Sequence, residues 1–223
     1  LVRSLRRIPA TTNIEGVVEK ADLIIEAASS DIVGELVKKV LGRGKAIMVM
    51  SVGGMIDYLH LFTEARKRKC HIYFPSGAIA GLDGIKAAKE ARIKSVTLET
   101  SKPPAGLAGA PYLLEKNIDL RRIKEKVVVF EGSCQEAIKA FPKNINVAAT
   151  LSLCTGTSDV SVKIITSPKF KRNSHEVIVE SDSGTIHTRT DNVPSGLNPK
   201  TSKLAVLSAI SMLKSIVTFI RIG

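Results

Sequence analysis

Histidine side chains are the strongest candidates for proton transfer in this sequence, because an imidazole titrates near neutral pH. His175 stands beside Glu176 at the start of a predicted strand, where its ring could point into a cleft and accept a proton. The sequence equally allows a histidine that only stabilises the strand start through a hydrogen bond. His187, in a predicted hairpin strand, could be a cross-strand neighbour of His175 but fits solvent better, while His60 and His71 suggest no chemical role.

Three stretches of small residues could receive a flat ligand. They follow three apolar runs and comprise residues 27–29, 51–54 and 76–81. If the apolar runs are parallel strands, these stretches lie at the carboxyl ends, where open α/β sheets bind ligands. Small side chains let a ligand approach the backbone, and the amides ahead of a helix starting near Leu82 could bind an anion. Tight packing between strand and helix is the alternative explanation of the same glycines.

The strands and helices that must position these residues follow two hydrophobic patterns. The first pattern covers the first third of the chain. Short, fully apolar runs alternate there with helical segments. Such strands are typical of a parallel sheet covered on both faces, so we predict an α/β, Rossmann-type sheet. The predicted strands are residues 22–27, 46–51 and 71–74, and the predicted helices are residues 31–41 and 56–69.

After Arg92 the strands alternate apolar and polar residues, which predicts an open mixed or antiparallel sheet in a second, α+β domain. Asp182-Ser183-Gly184 predicts a hairpin turn between the last two strands. A Pro/Gly-rich insert, residues 102–111, is expected to lack regular structure. The predicted strands are residues 95–100, 126–131, 159–166, 175–180 and 185–190, and the predicted helices are residues 135–141 and 147–154.

The sequence lacks one expected feature of a dinucleotide-binding domain. Such a domain begins with a strand, a G-x-G-x-x-G turn and a helix. This sequence begins with a helix-like segment and reaches residues 14–20 without a glycine-rich turn. Either the protein binds no dinucleotide, or the first βαβ half of the fold is missing from the chain; composition and pattern alone leave both open.

The net charge of +12 is spread along the chain. Residues 1–92 contribute +5, from 15 basic and 10 acidic side chains, and residues 93–223 contribute +7, from 18 and 11. The basic runs at 66–69 and 121–126 lack the interleaved aromatic residues of a base-stacking surface, so we expect no nucleic-acid partner. The apolar stretch 204–222 includes basic and hydroxyl residues, which favours a buried amphipathic helix over a membrane span.

The cysteines indicate the compartment. Cys70, Cys134 and Cys154 are far apart, and their spacing matches neither a disulfide framework nor a metal site. Residues 1–7 lack the apolar core of a signal peptide. We therefore expect a cytoplasmic protein that binds no metal and does not associate with a membrane.

Several long segments, in matching order and spacing, resemble the L-aspartate dehydrogenase family. The resemblance extends over essentially the whole chain. The matching segments are residues 74–88 (beginning FPSGAIAGLDG), 100–104 (TSKPP), 129–137 (VFEGSCQEA), 141–151 (FPKNINVAATL), 174–177 (SHEV) and 198–202 (NPKTS).

The resemblance implies an NAD- or NADP-dependent enzyme that oxidises L-aspartate to iminoaspartate, which yields oxaloacetate and ammonia, and that also catalyses the reverse amination. Family members are usually homodimers and supply iminoaspartate for NAD biosynthesis. The family fold implies a partial Rossmann domain at residues 1–92, an α+β domain at 93–198, and a last helix at 199–223 that packs on the first domain. The alternative is a non-catalytic or truncated homologue that acts as a dimerising domain, because the glycine turn is missing.

The resemblance also implies roles for individual residues. His175 matches the catalytic histidine of the family. Ala78 matches a position that contacts the cofactor near its nicotinamide end, and Asn146 matches a second cofactor contact, with Asn144 as the competing candidate. Either asparagine could instead cap the helix predicted to begin near Val147.

A substrate with two carboxylates needs cationic or amide donors in its pocket. Lys200, in the segment 198–202, and the backbone amides of Ser76 and Gly77 are the candidates for substrate binding. An ordinary surface lysine beside a helix start is the alternative for Lys200.

Overall fold

Two sheets with flanking helices form the part of the chain that the computed structural model describes, which comprises residues 9–142, 145–196 and 201–220. The first elements are α1 (Ile14–Lys20), β1 (Leu23–Glu26), α2 (Ser30–Gly42), β2 (Ala46–Val49), a 3₁₀ helix (Val52–Tyr58), α3 (Leu61–Arg68), β3 (Ile72–Tyr73) and α4 (Leu82–Ala88). They are followed by β4 (Ile93–Lys102), α5 (Pro104–Leu107), α6 (Pro111–Glu115), a short 3₁₀ turn (Leu120–Arg122), β5 (Val127–Ser133), α7 (Cys134–Ala140), α8 (Asn146–Thr155), β6 (Ser161–Thr166), β7 (Asn173–Ser181), β8 (Gly184–Asn192) and α9 (Lys203–Val217).

The first sheet is parallel, with strand order β1-β2-β3, which confirms the predicted Rossmann-type architecture. Ile24 lies opposite Ile47, and Ile47 also lies opposite Ile72. Helix α2 covers this sheet with one apolar face, because its buried residues recur at helical spacing. The buried apolar side chains of α2 are Val33, Leu36, Val37, Val40 and Leu41.

The helix predicted over residues 56–69 is only partly correct. The chain instead forms a 3₁₀ helix over Val52–Tyr58 and an α-helix over Leu61–Arg68. Gly54 lies so close to Ser30 that a Cβ atom there would collide with the Ser30 carbonyl oxygen. The tight turn after β2 therefore results from close backbone packing against the start of α2, which the hydrophobic pattern does not reveal.

The second sheet is mixed, with strand order β5-β6-β4-β7-β8, and confirms the predicted second sheet. Strand β4 pairs in parallel with β6 and antiparallel with β7, and β7 and β8 form the predicted hairpin, which closes where Ser181 faces Gly184. Along β4 every second residue is buried, so these side chains share one face. The buried residues of β4 are Val96, Leu98, Thr100 and Lys102.

The Pro/Gly-rich insert at residues 102–111 is not irregular throughout, so that prediction was wrong. Pro104–Leu107 forms one helical turn, and α6 begins at Pro111. Proline is tolerated in the first turn of a helix, because the N–H that it lacks would have no helical partner there. The fully buried Leu107 holds the insert on the second core.

The described residues form two hydrophobic clusters, one around each sheet. Ile79 and Ile85 follow the first sheet in sequence, but they pack in the cluster of the second sheet. Gly81, with φ of 80°, lies against the Thr188 side chain, where a Cβ atom would collide with a methyl group. The segment after β3 therefore connects the two sheets.

Helix α9 lies across this junction, and the Gly77 amide donates a hydrogen bond to Ser208 Oγ at 3.0 Å. Ala209 is the buried residue of α9, whereas Leu207 and Ile210 remain 49% and 44% exposed. The helix is thus less buried than the sequence pattern predicted. Among the described helices, none has the length and apolar character needed to cross a membrane.

Candidate active site

A cavity of about 300 Å³ lies between the carboxyl ends of the parallel strands and the polar end of the second sheet. It contains Ala78, Asn146 and His175, which the family resemblance singles out, and Ser76, which the charge of the expected substrate suggested. Lys200 and the competing Asn144 lie outside the described residues. The other lining residues are Ala27, Ala28, Met50, Ser51, Val52, Pro75, Gly77, Lys102, Val147, Thr150, Asn173, Thr201, Ser202 and Ala205.

His175 enters the cavity from β7 and is only 3% exposed. Its ring nitrogen Nδ1 lies 3.1 Å from Oγ1 of Thr100, the residue directly opposite on β4. Burial, and secondarily the positive charge of Lys102, lowers the pKa of His175 to about 3. The imidazole is therefore neutral at physiological pH, as a proton acceptor must be, although it does not titrate near pH 7 as the sequence suggested.

Lys102 also lines the cavity, although the sequence pattern did not single it out. It is the last residue of β4, only 7% exposed, and lines the cavity with His175. Burial lowers the pKa of Lys102 to about 8. The predicted strand stopped at Thr100, so Lys102 was assigned to the insert. Extending the two-residue alternation of β4 by one step would have placed Lys102 on the same face as Thr100.

Ala78 is held by its backbone. Its carbonyl oxygen accepts hydrogen bonds from Thr190 Oγ1 at 2.8 Å and from Asn192 Nδ2 at 3.0 Å, both at the end of β8. Thr188, on the same strand, donates to the Ala80 carbonyl at 3.3 Å. The second sheet thus holds the loop after β3 in place, and this fixes where the small Ala78 side chain lies.

Asn146 connects the two halves of the site. Its Oδ1 accepts a hydrogen bond from the Gly53 amide at 3.0 Å, in the turn after β2. Helix α8 begins at Asn146 itself, and its N-cap residue, Ile145, makes no side-chain capping bond. The capping alternative therefore does not apply to Asn146, whose side chain reaches across to the first sheet.

Glu26 organises the strand ends of the first sheet from behind the cavity. It is 2% exposed, and its carboxylate accepts hydrogen bonds from the Ala28 amide at 2.7 Å and from the Ser51 amide and hydroxyl, both at 2.9 Å. Glu26 could have been identified from the sequence, because it is an acidic residue at the end of an apolar strand. The carboxylate fixes two of the cavity-lining loops relative to each other.

Replacing Glu26 by alanine should lower the free energy of unfolding by about 2–3 kcal/mol, because buried amides would lose a charged acceptor. Urea unfolding curves of the wild type and of Glu26→Ala test this expectation. Glu15→Ala is the control, because Glu15 forms an exposed ion pair with Lys39 and should change stability much less than Glu26→Ala does. Equal effects of the two substitutions would contradict the structural role of Glu26.

The described residues include no group of three or more histidine, cysteine, aspartate or glutamate side chains that could hold a metal ion. The three cysteines carry no disulfide, and burial raises the pKa of the Cys134 thiol to about 11. The Cys134 thiol is therefore a poor nucleophile.

Comparison with known protein families covers both sheets. The family model described as aspartate dehydrogenase, C-terminal, matches residues 83–216, and the model described as homoserine dehydrogenase, NAD binding domain, matches residues 2–75. The chain is 48% identical to the L-aspartate dehydrogenase of Methanosarcina acetivorans over 219 residues, which cover 96% of this chain and 81% of that protein. It is 41% identical to the L-aspartate dehydrogenase of Bradyrhizobium diazoefficiens, over 96% of this chain and 76% of that protein.

Solved structures agree with these matches. The crystal structure of aspartate dehydrogenase from Thermotoga maritima superimposes with a TM-score of 0.77 at 30% identity, covering 99% of this chain and 87% of that chain. A hyperthermophilic archaeal homoserine dehydrogenase in complex with NADPH, at a TM-score of 0.53 and 12% identity, shares the fold. With its Rossmann-type NAD-binding domain and its aspartate dehydrogenase C-terminal domain, the chain belongs to the L-aspartate dehydrogenase family.

Proposed function

We propose that this chain oxidises L-aspartate with NAD(P)⁺ to iminoaspartate, which water converts to oxaloacetate and ammonia, and that it catalyses the reverse amination. The observation that carries the proposal is the cavity in which the small-residue strand ends face His175 and Lys102. A site with a buried base and a buried cation suits a substrate that must lose a proton and that carries negative charge.

The strand ends fit the reactive end of a nicotinamide cofactor. Ala27, Ala28, Ser76 and Ala78 present small side chains to the cavity. Gly77 has φ of 67°, and the space that a Cβ atom would enter there is open. A flat ring can therefore approach the backbone, and Ala78 and Asn146 are the residues that would hold it. The bound cofactor supplies the hydride acceptor.

His175 prepares the substrate. Hydride transfer from Cα requires the nitrogen lone pair, which forms the C=N bond as the hydride leaves, so the substrate ammonium must first lose a proton. The neutral imidazole can take that proton on Nε2, while Thr100 holds Nδ1 and thereby orients the ring.

The direct test is an absorbance assay of reduced nicotinamide with the full chain, NAD⁺ or NADP⁺, and L-aspartate. We expect reduction that depends on aspartate and is weak with L-alanine, which lacks the second carboxylate. The reverse assay uses oxaloacetate, ammonia and the reduced cofactor. Lack of turnover in both directions with both cofactors would overturn the proposal and favour the non-catalytic alternative.

Enlarging Ala78 tests the cofactor site. Ala78→Leu should weaken NAD(P) binding by roughly 10- to 100-fold, because the larger side chain would enter the space proposed for the ring. Ala80→Leu is the matched control, since Ala80 is exposed and lies two residues further along the same loop. Cofactor affinity is measured by fluorescence titration. If Ala78→Leu binds the cofactor as tightly as Ala80→Leu does, Ala78 has no role in the cofactor site.

The finer features of the family are part of the same proposal. They are a homodimer, a cytoplasmic location, a supply of iminoaspartate for NAD biosynthesis, and domains at 1–92, 93–198 and 199–223. The half-exposed Leu207 and Ile210 on α9 support association, since apolar side chains at such positions favour burial. Light scattering of the purified chain measures the oligomeric state.

A further inference from the structure

The cavity has one polar wall, which the adjacent strands β4 and β7 of the second sheet build by alternation. Thr100 and Lys102 project from β4 on the same face, and His175 lies opposite Thr100 on β7. Asn173, two residues before His175, lines the cavity next to this group. Neighbouring strands thus bring a cation and a base to one side of the cavity.

The cation is kept there at the expense of stability. Moving a lysine from water into a protein interior disfavours its charged form, and the lowered pKa of Lys102, about 8, expresses this effect. Burial does most to lower the pKa of His175, and the positive charge of Lys102 lowers it further. A buried cation that lines a cavity beside a base is well placed to bind an anionic group of a ligand.

We propose that Lys102 binds one carboxylate of the substrate and that the resulting ion pair enables His175 to accept the proton of the substrate ammonium. This role rests on the proposed function, because it assumes an amino acid with two carboxylates. With the carboxylate paired to Lys102, the positive charge no longer repels a proton on His175. The N–H bond of the ammonium breaks, the proton moves to Nε2, and Lys102 keeps all its protons.

The charges around the cavity support this order of events. Among the described residues that line it, Lys102 on β4 and His175 on β7 are the side chains that titrate. Glu26 lies behind the loops of the first sheet, with its carboxylate bonded to Ala28 and Ser51. A substrate carboxylate would therefore bring negative charge to a wall that carries positive charge.

The test uses succinate, a dicarboxylate without an amino group, as a binding probe for the full chain in isothermal titration calorimetry. Lys102→Met should reduce succinate affinity at least about 10-fold, whereas NAD(P)⁺ affinity stays within about twofold. Lys102→Arg should retain part of the succinate affinity. The control is Lys94→Met, at the exposed start of β4, where Lys94 pairs with Asp182. The Tm of Lys102→Met, measured in parallel, shows whether the variant is folded.

A second readout concerns protons. At pH 8 the wild type should take up protons when succinate binds, because the carboxylates stabilise the charged forms of Lys102 and His175, and titrations in buffers of different ionisation enthalpy measure this uptake. The Lys102→Met variant should take up fewer protons when succinate binds. Kinetics with two amides identify the carboxylate that Lys102 binds: L-asparagine lacks the side-chain carboxylate, and isoasparagine lacks the α-carboxylate. Lys102→Met should lower the turnover of the amide that lacks this carboxylate much less than it lowers the turnover of aspartate.

The possible outcomes separate the two proposals. If Lys102→Met and Lys102→Arg bind succinate as tightly as the wild type, the role of Lys102 is wrong, even if aspartate is oxidised normally. If succinate binding depends on Lys102 but no aspartate turnover occurs with either cofactor, the proposed reaction is wrong and the carboxylate site remains.

Discussion

Replacing His175 by alanine should lower kcat for aspartate oxidation by about 10²- to 10⁴-fold, the usual range for loss of a general base. The reason lies in the geometry of the cavity. His175 is neutral, almost fully buried and oriented by Thr100, so its substitution removes the proposed proton acceptor. Steady-state kinetics measure the effect on kcat, and the affinity for NAD(P)⁺ should change little.

His187→Ala is the matched control for this prediction. His187 lies on β8 with a half-exposed side chain, and its Nε2 is 2.7 Å from a carboxylate oxygen of Glu176. It does not line the cavity, so its loss should leave kcat within about twofold of the wild type. Wild-type turnover by His175→Ala, with a normal Tm, would show that His175 only stabilises β7.

Lowering the pH from 7 to 4 should lower the free energy of unfolding by about 3 kcal/mol through His175. The pKa of His175 is about 3 in the folded protein, against an ordinary value of 6.5. Between these two values the unfolded chain binds a proton that the folded chain does not bind. The contribution of the neutral histidine is therefore fully present above pH 6.5 and is lost progressively as the pH falls towards 3.

The measurement compares urea unfolding of the wild type and His175→Gln at pH 7 and pH 4. Carboxylates titrate in both proteins, so the difference between the two pH dependences isolates His175. The wild type should lose about 3 kcal/mol more than the variant. Identical pH dependences would mean that the ring is more accessible to water than its 3% exposure indicates.

The order of strands and helices was largely predictable from the sequence, because it depends on short-range periodicity. Apolar runs such as residues 46–51 predicted buried parallel strands, and alternation predicted the mixed sheet. The turn at residues 182–184 was also predictable, since its residue types favour tight hairpins. The predictions were wrong where packing overrides pattern, as in the insert that Leu107 holds on the core.

The residues of the site were only partly predictable. The family resemblance singled out Ala78, Asn146 and His175, and the charge of the expected substrate suggested Ser76. The fold brings these four residues together in one cavity, and their roles stay predictions. Lys102 was missed, because the predicted strand ended two residues early and lysines near loops are usually exposed.

The sequence by itself determined the two kinds of sheet and the family to which the chain belongs, because both depend on local pattern and on long matching segments. Only the tertiary structure decided the electrostatics of the site. Burial lowers the pKa of both His175 and Lys102, and the charge of Lys102 lowers that of His175 further. These two residues, 73 positions apart, become neighbours only when β4 and β7 pair. The register of one sheet therefore places a neutral base beside a buried cation.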